Sequence, residues 1–322
     1  MTSSPNTEPP GRLGRWLLRL RPEEVLALAF LVPTTYFTIV ADQHARAILM
    51  ANSQYPAAVA RLAFAVSLLL LLALVVRHWP AAPIVSGARE MLPFFACVLI
   101  YTNLHDTLGF ANPHDVHDSL AAFDQWLFGV QPTVWAERFI TPSRTEFMNL
   151  LYWNFAWIAV LPSLLTLARG HWRDFRAVTF GIVLCFLLGY FLYVVFPAAP
   201  PRLALAHLYH VTLQGGAVSE AAERVLRLLP TDSRAAFPSL HAAVSVMALG
   251  YTWRLARWVA AVLLPVVLGL LASTIYLRHH FVADLVAGLA LAFVAASLAP
   301  RLDRAWSARQ RALGYAPALG AD

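Results

Sequence analysis

Long apolar runs separated by short polar breaks dominate the chain, and they predict membrane-crossing helices. A helix needs about 20 apolar residues to cross the hydrocarbon core. The pattern predicts eight such segments, over roughly 25–41, 57–76, 91–104, 147–168, 175–196, 238–253, 258–277 and 281–299. The third is short, so it either re-enters or continues into the residues after it. Residues 1–22 are polar, Pro-rich and basic and read as a disordered lead into an interfacial turn. Residues 23–300 read as one membrane domain, and 301–322 as a polar, basic tail. Between the spans, 216–229 places Val218, Ala221, Ala222, Val225 and Leu229 at helical spacing with charges between them. That is the signature of an amphipathic helix lying on the membrane surface.

Composition agrees with this all-α, polytopic reading. Of 322 residues, 59% are hydrophobic and 13% charged, about half the charged share of a soluble domain. All 24 basic residues are arginine, so no lysine is available as a base or Schiff-base former. The richness in Arg, Ala and Leu suggests a bacterial source and its inner membrane. There is no dense basic tract with interleaved aromatics, which argues against nucleic-acid binding. Cys97 and Cys185 lie inside apolar segments and lack metal-ligand spacing. With eight spans, one side of the membrane receives 15 of the 24 arginines, many in very short loops. The positive-inside rule assigns that side, with both termini, to the cytoplasm.

Histidines then fall together on the opposite side. Phe237-Pro238-Ser239-Leu240-His241 opens the sixth span, and Arg278-His279-His280-Phe281-Val282-Ala283-Asp284 joins the seventh to the eighth. Phe196-Pro197-Ala198-Ala199-Pro200-Pro201-Arg202 ends the fifth span at the same interface. Ionisable groups at a bilayer are costly enough to need a reason. His280 and Asp284 are four apart, on one helix face, so the carboxylate can orient the imidazole. His279 has Ala283 at that spacing, which makes His280 the better nucleophile. Pro238 suits a first helical turn, whose free amides face an anion, and Ser239 adds a hydroxyl donor. Arg202 and Arg278 add forked positive charge at the same interface. His105-Asp106 and His114-Asp115-Val116-His117-Asp118 are also candidates, for a metal or a substrate headgroup, but their pattern is that of a solvated polar face. Tyr152, Trp153 and Asn154 read as core or lipid contacts.

Pro238-Ser239-Leu240-His241 and His280-x-x-x-Asp284 resemble the second and third signature motifs of the type 2 phosphatidic acid phosphatase superfamily. The wording is nearest its inositol phosphorylceramide synthase-like branch, with a doubled His in the third motif and a Pro-rich element before the second. The likeness is strong over about 197–290 and thinner before that, resting there on Asp124-Gln125-Trp126-Leu127-Phe128-Gly129. It implies a six-helix catalytic core and a phosphohistidine mechanism with no metal or other cofactor. His280 would attack phosphorus, held by Asp284. His241 would protonate the leaving oxygen and then deprotonate the acceptor. Arg202, Ser239 and Arg278 would bind the phosphate of a phospholipid or other lipid-linked donor. The phosphatases' Lys-containing first motif is absent, and Ser273-Thr274 stand where phosphatases carry Ser-Arg. Those departures point to a phosphotransferase. The alternatives are a lipid phosphate phosphatase and, from another class, a transporter or scaffold. The oligomeric state is not legible.

Overall fold

The computed structural model describes residues 11–49, 83–228 and 234–315, with 63 and 67 besides, so the predicted second span at 57–76 lies outside the described residues. The described residues are helical, with no strand beyond a single bridge between Ala198 and Ala235. The principal helices are α1 (Pro22–Leu49), α2 (Pro83–Ala111), α3 (His117–Phe128), α4 (Pro142–Trp153), α5 (Leu161–Ala168), α6 (Trp172–Val195), α7 (Ala217–Leu228), α8 (Leu240–Leu255), α9 (Arg257–Tyr276) and α10 (Val282–Ala312).

Four of these, α1, α6, α9 and α10, are long and apolar enough to cross a bilayer, and the bent unit of α4 and α5 makes a fifth. The count of eight is not confirmed among the described residues, which leave out the predicted second span. α8 follows the predicted sixth span but has only 16 residues. The short third segment is the apolar middle, Met91–Leu104, of the 29-residue α2. The predicted fourth span is broken by a 44° bend between Ile158 and Leu161, where Pro162 can open a new helix but not continue an old one.

The helix α10 runs past its apolar stretch to Ala312. Its polar end is held by the N-terminal segment: Trp306 Nε1 donates to the Leu20 carbonyl, and Gln310 Nε2 to those of Leu18 and Leu20. Residues Arg12–Leu17 form a short helix there, and Leu18 is buried. The expectation of a disordered lead thus fails from residue 11 onward, because its leucines and carbonyls have partners on α10.

The core lies where α6, α8 and α10 pack on one another, with α9 against α8 and with α1 and α2 on the flank of α6. At the end of the bundle that carries residues 11 and 315, Arg176 of α6 is buried between Glu23 of α1 and Asp303 of α10. Burying a guanidinium requires such paired carboxylates. At the other end, Gly288 lets α10 touch the start of α8: a Cβ there would lie 2.4 Å from the Ser239 carbonyl oxygen and 3.0 Å from the Ala242 Cβ. Backbone cannot yield to that contact unless the helices part. Gly288→Ala is expected to cost about 1–3 kcal/mol and most of the activity, whereas Gly250→Ala, with nothing within 4 Å, should leave both intact. Thermal unfolding and turnover of the two variants check this, and equal behaviour would count against the close approach.

Candidate active site

Three chain segments meet at that second end, and their backbones are stitched together. Ala198 N donates to the Arg234 carbonyl at 2.9 Å and Ala236 N to the Ala198 carbonyl at 3.1 Å; Arg202 N donates to the Arg278 carbonyl at 2.9 Å and Ser239 N to the Asp284 carbonyl at 3.0 Å. Beneath them Leu120, Ala198, Leu205, Ala236, Phe281 and Ala283 form a small apolar cluster. The loops are thereby fixed, as side chains that must hold a reactive geometry require.

On this frame Asp284, His280 and His241 form a chain. Asp284 Oδ2 accepts from the Phe281 amide at 2.9 Å and lies 3.2 Å from His280 Nδ1. His280 Nε2 lies 3.1 Å from His241 Nδ1. With the proton of His280 on Nδ1, facing the carboxylate, Nε2 presents a lone pair, and His241 donates to it through Nδ1–H. His280 and Asp284 are buried, and His241 is partly exposed. The spacing predicted from sequence thus brings the two residues into contact.

Arg202 enters beside them. Its Nη1 lies 2.5 Å from His279 Nδ1. A guanidinium only donates, so this nitrogen of His279 accepts and the ring's proton sits on Nε2. The lone pair of His279 is then occupied, an electronic reason for preferring His280 that adds to the missing carboxylate. Tyr152 stacks on His279 with centroids 4.5 Å apart and lies 4.8 Å from the His241 ring, and Phe155 closes the other side of His241 at 4.5 Å. Tyr152 therefore borders the site, where its sequence neighbourhood suggested core or lipid contact. Hydrophobic periodicity places both rings on an apolar segment but does not show which residues of later segments they meet.

The side chains of the other candidates make their hydrogen bonds away from the histidine rings. Arg278 adopts the left-handed region, φ 62°, and its side chain turns to Glu137 and the Val211 carbonyl, both at 2.7 Å, with the guanidinium 3.8 Å from the Tyr209 ring centroid. Ser239 is the N-cap of α8, its hydroxyl accepting from the Ala242 amide at 3.3 Å. Pro238 precedes that cap and so lies outside the first turn where sequence placed it. Thr274 is fully buried and donates to the Leu271 carbonyl at 2.7 Å, while its own carbonyl receives the amides of His279 and His280.

In the 105–118 cluster, Asp115 is paired with Arg234 at 2.6 Å and His117 lies 3.7 Å from Asp115. The side chains of His105 and Asp106 are outside the description. Among the described residues no group of three or more His, Cys, Asp or Glu is placed to hold a metal.

One residue was quoted in the sequence without a role. Asp124, fully buried on α3, accepts the amides of Val282 at 2.8 Å and Ala283 at 2.9 Å. These are the first free N–H groups of α10, the helix that carries Asp284. Nothing in the spacing of Asp124 from residue 282 could have paired them. The surface helix α7 is held in a similar way: Glu146 of α4 accepts the amides of Gly216, Val218 and Ser219.

A family profile described as PAP2 superfamily matches residues 118–298, more than half of the chain and all of the site just described. No curated protein and no solved structure gives a significant match. A bundle of apolar helices with His241, His280 and Asp284 in one hydrogen-bonded chain at its end, lying wholly inside that match, makes this a membrane-embedded protein of the PAP2, or type 2 phosphatidic acid phosphatase, superfamily, and so an enzyme of its phosphatase or phosphotransferase kind.

Proposed function

We propose that the chain is a phosphotransferase, moving a phospho-headgroup from a lipid-linked phosphodiester to the hydroxyl of a lipid or polyol, in the manner of the inositol phosphorylceramide synthase-like branch. The observation that carries this is the Asp284–His280–His241 chain, walled by Tyr152 and Phe155. His280 Nε2 attacks phosphorus, the bond from phosphorus to the leaving oxygen breaks, and His241 gives that oxygen its proton. The acceptor hydroxyl then loses its proton to His241 and attacks phosphorus, and the P–N bond breaks to restore His280. Asp284 holds the tautomer and balances the imidazolium-like charge on phosphorylated His280. The two rings must part for phosphorus to enter, since their nitrogens are 3.1 Å apart. The entering phosphate supplies the counter-charge for a protonated His241. Arg202 and the Nε2–H of His279 face it as donors, with Ser239 nearby, and Arg278 acts as a positioning residue that pins the loops around Glu137 and Val211. The site opens on the extracytoplasmic face, and both termini are cytoplasmic.

Transfer is favoured over hydrolysis because aromatic rings enclose the histidine pair and position 274 adds no charge. A closed, apolar acceptor side disfavours water. Purified enzyme given a phosphodiester lipid and an added alcohol should form exchanged lipid faster than it releases headgroup to water, and should prefer the diester over phosphatidic acid. Free phosphate from phosphatidic acid, with no exchange from any diester, would instead make it a phosphatase.

His280, in the loop between α9 and α10, has its pKa pressed down to about 3 by burial and then by the Arg202 charge. A lowered histidine pKa means the neutral, attacking form persists as pH falls. Single-turnover labelling of the enzyme should stay level between about pH 5 and pH 7. A decline centred near the ordinary histidine value of 6.5 would contradict this environment.

A further inference from the structure

At the end of the bundle opposite the histidines, α6, α8 and α10 enclose a cavity of about 250 Å³. The chain directions place it there: α8 leaves His241 and reaches Arg254 about 20 Å on, and α10 leaves Asp284 and reaches Arg304 about 30 Å on. It is lined by Arg173, Arg254 and Arg304, all exposed, by Tyr251, and by Phe180 and Ala299. Arg254 and Arg304 form no hydrogen bond or ion pair among the described residues. Asp303, which also lines the cavity, is already paired with Arg176 at 2.8 Å. Arg254 and Arg304 therefore give the lining positive charge.

The outer surface of α10 shows what kind of anion fits. Phe293, Ala296, Pro300 and Arg304 follow one another at i, i+3, i+7 and i+11, so they form a single stripe. Phe293 is 75% exposed, and Ala296, Pro300 and Arg304 border the cavity. Along that stripe the surface passes from hydrocarbon-facing ring to guanidinium over about 16 Å. A free anion has no use for the apolar half, whereas a phospholipid would cover the whole of it, with acyl chain on Phe293 and phosphate between Arg254 and Arg304. Basic pockets between spanning helices are suited to anionic headgroups.

We infer that this cavity binds the headgroup of an anionic phospholipid in the leaflet opposite the active site, at a place separate from the catalytic histidines. The inference rests on the membrane-spanning fold and not on the proposed transferase reaction. It is tested on the purified full chain in uncharged detergent by native mass spectrometry, offering phosphatidylglycerol and phosphatidylcholine of matched chains together. The wild type should retain phosphatidylglycerol preferentially. The double variant Arg254→Gln/Arg304→Gln should lose that preference by on the order of tenfold. Ala296→Trp, which fills the cavity and keeps both arginines, should lose it as well, so one variant decides if the other does not fold. His280→Ala should keep it. Retention unchanged in both cavity variants, loss in His280→Ala, or displacement of the lipid by millimolar inorganic phosphate would each overturn the inference.

Discussion

His280→Ala is expected to abolish turnover, while His279→Ala should retain a measurable part of it. Without His280 there is no Nε2 lone pair opposite His241 and no covalent route, whatever remains of binding. Removing His279 takes away one donor and the partner of Arg202, which weakens phosphate binding but leaves the Asp284–His280–His241 chain in place. Asp284→Asn belongs with the first variant. Its Oδ2 faces both His280 Nδ1 and the Phe281 amide, and an amide there either turns its NH₂ toward that backbone N–H or offers a weaker, neutral acceptor. Loss of tautomer control should slow the reaction by about 10³-fold or more, with little change in thermal unfolding. Rates of lipid exchange for the three variants, each measured beside its unfolding curve, separate lost chemistry from lost fold. Equal activity in His279→Ala and His280→Ala would remove the basis for choosing His280.

The second large effect is expected at Asp124, which touches neither histidine. Its two carboxylate oxygens take the Val282 and Ala283 amides at the start of α10; Asp124 and its contact with Ala283 are buried, and that with Val282 is partly so. Asp124→Ala would leave two buried donors unpaired, at about 1–3 kcal/mol each. Asp124→Asn keeps the volume but can accept only one of the two without presenting its own N–H to the other. Because α10 carries Asp284 three residues beyond its cap, a frayed first turn should release the nucleophile's orienting carboxylate. Activity should fall at least tenfold in Asp124→Asn, with kcat affected more than KM, and Asp124→Glu should recover little, since its longer side chain misplaces both oxygens. A variant at Asp124 that unfolds at the wild-type temperature and turns over normally would show the cap to be dispensable.

What was legible in the sequence was periodic or local. The apolar runs predict α9 to within one residue, α6 to within three, and the start but not the end of α10; the surface helix α7 was visible in the helical spacing of its apolar residues, and the i,i+4 spacing of His280 and Asp284 is a contact by geometry alone. What stayed hidden depends on packing between distant segments. Tyr152, on the fourth apolar segment, stacks on His279 and lies against His241, which come about 90 or more residues later in the chain. Arg278, adjacent to the motif, looked like a phosphate ligand, yet its left-handed backbone turns it toward Glu137, 141 residues away. Asp124 reaches across 158 residues to Val282. The order of residues 11–21 is not legible because nothing in their own composition reveals that Trp306 and Gln310 supply donors for the Leu18 and Leu20 carbonyls. Hydropathy marks apolar length alone, and α2 and α8 divide that length differently from the predicted third and sixth spans.

The central claim is that phosphorus passes through Nε2 of His280. Its most direct test is to incubate the purified enzyme briefly with a phosphodiester lipid labelled in the transferred phosphate, without acceptor, quench in base, and map the label by peptide mass spectrometry. The account predicts a base-stable, acid-labile phosphoryl group on His280, lost on adding an alcohol acceptor and absent from His280→Ala. Label on His279, on His241 or on any other residue, or wild-type turnover with no covalent species formed, would contradict it.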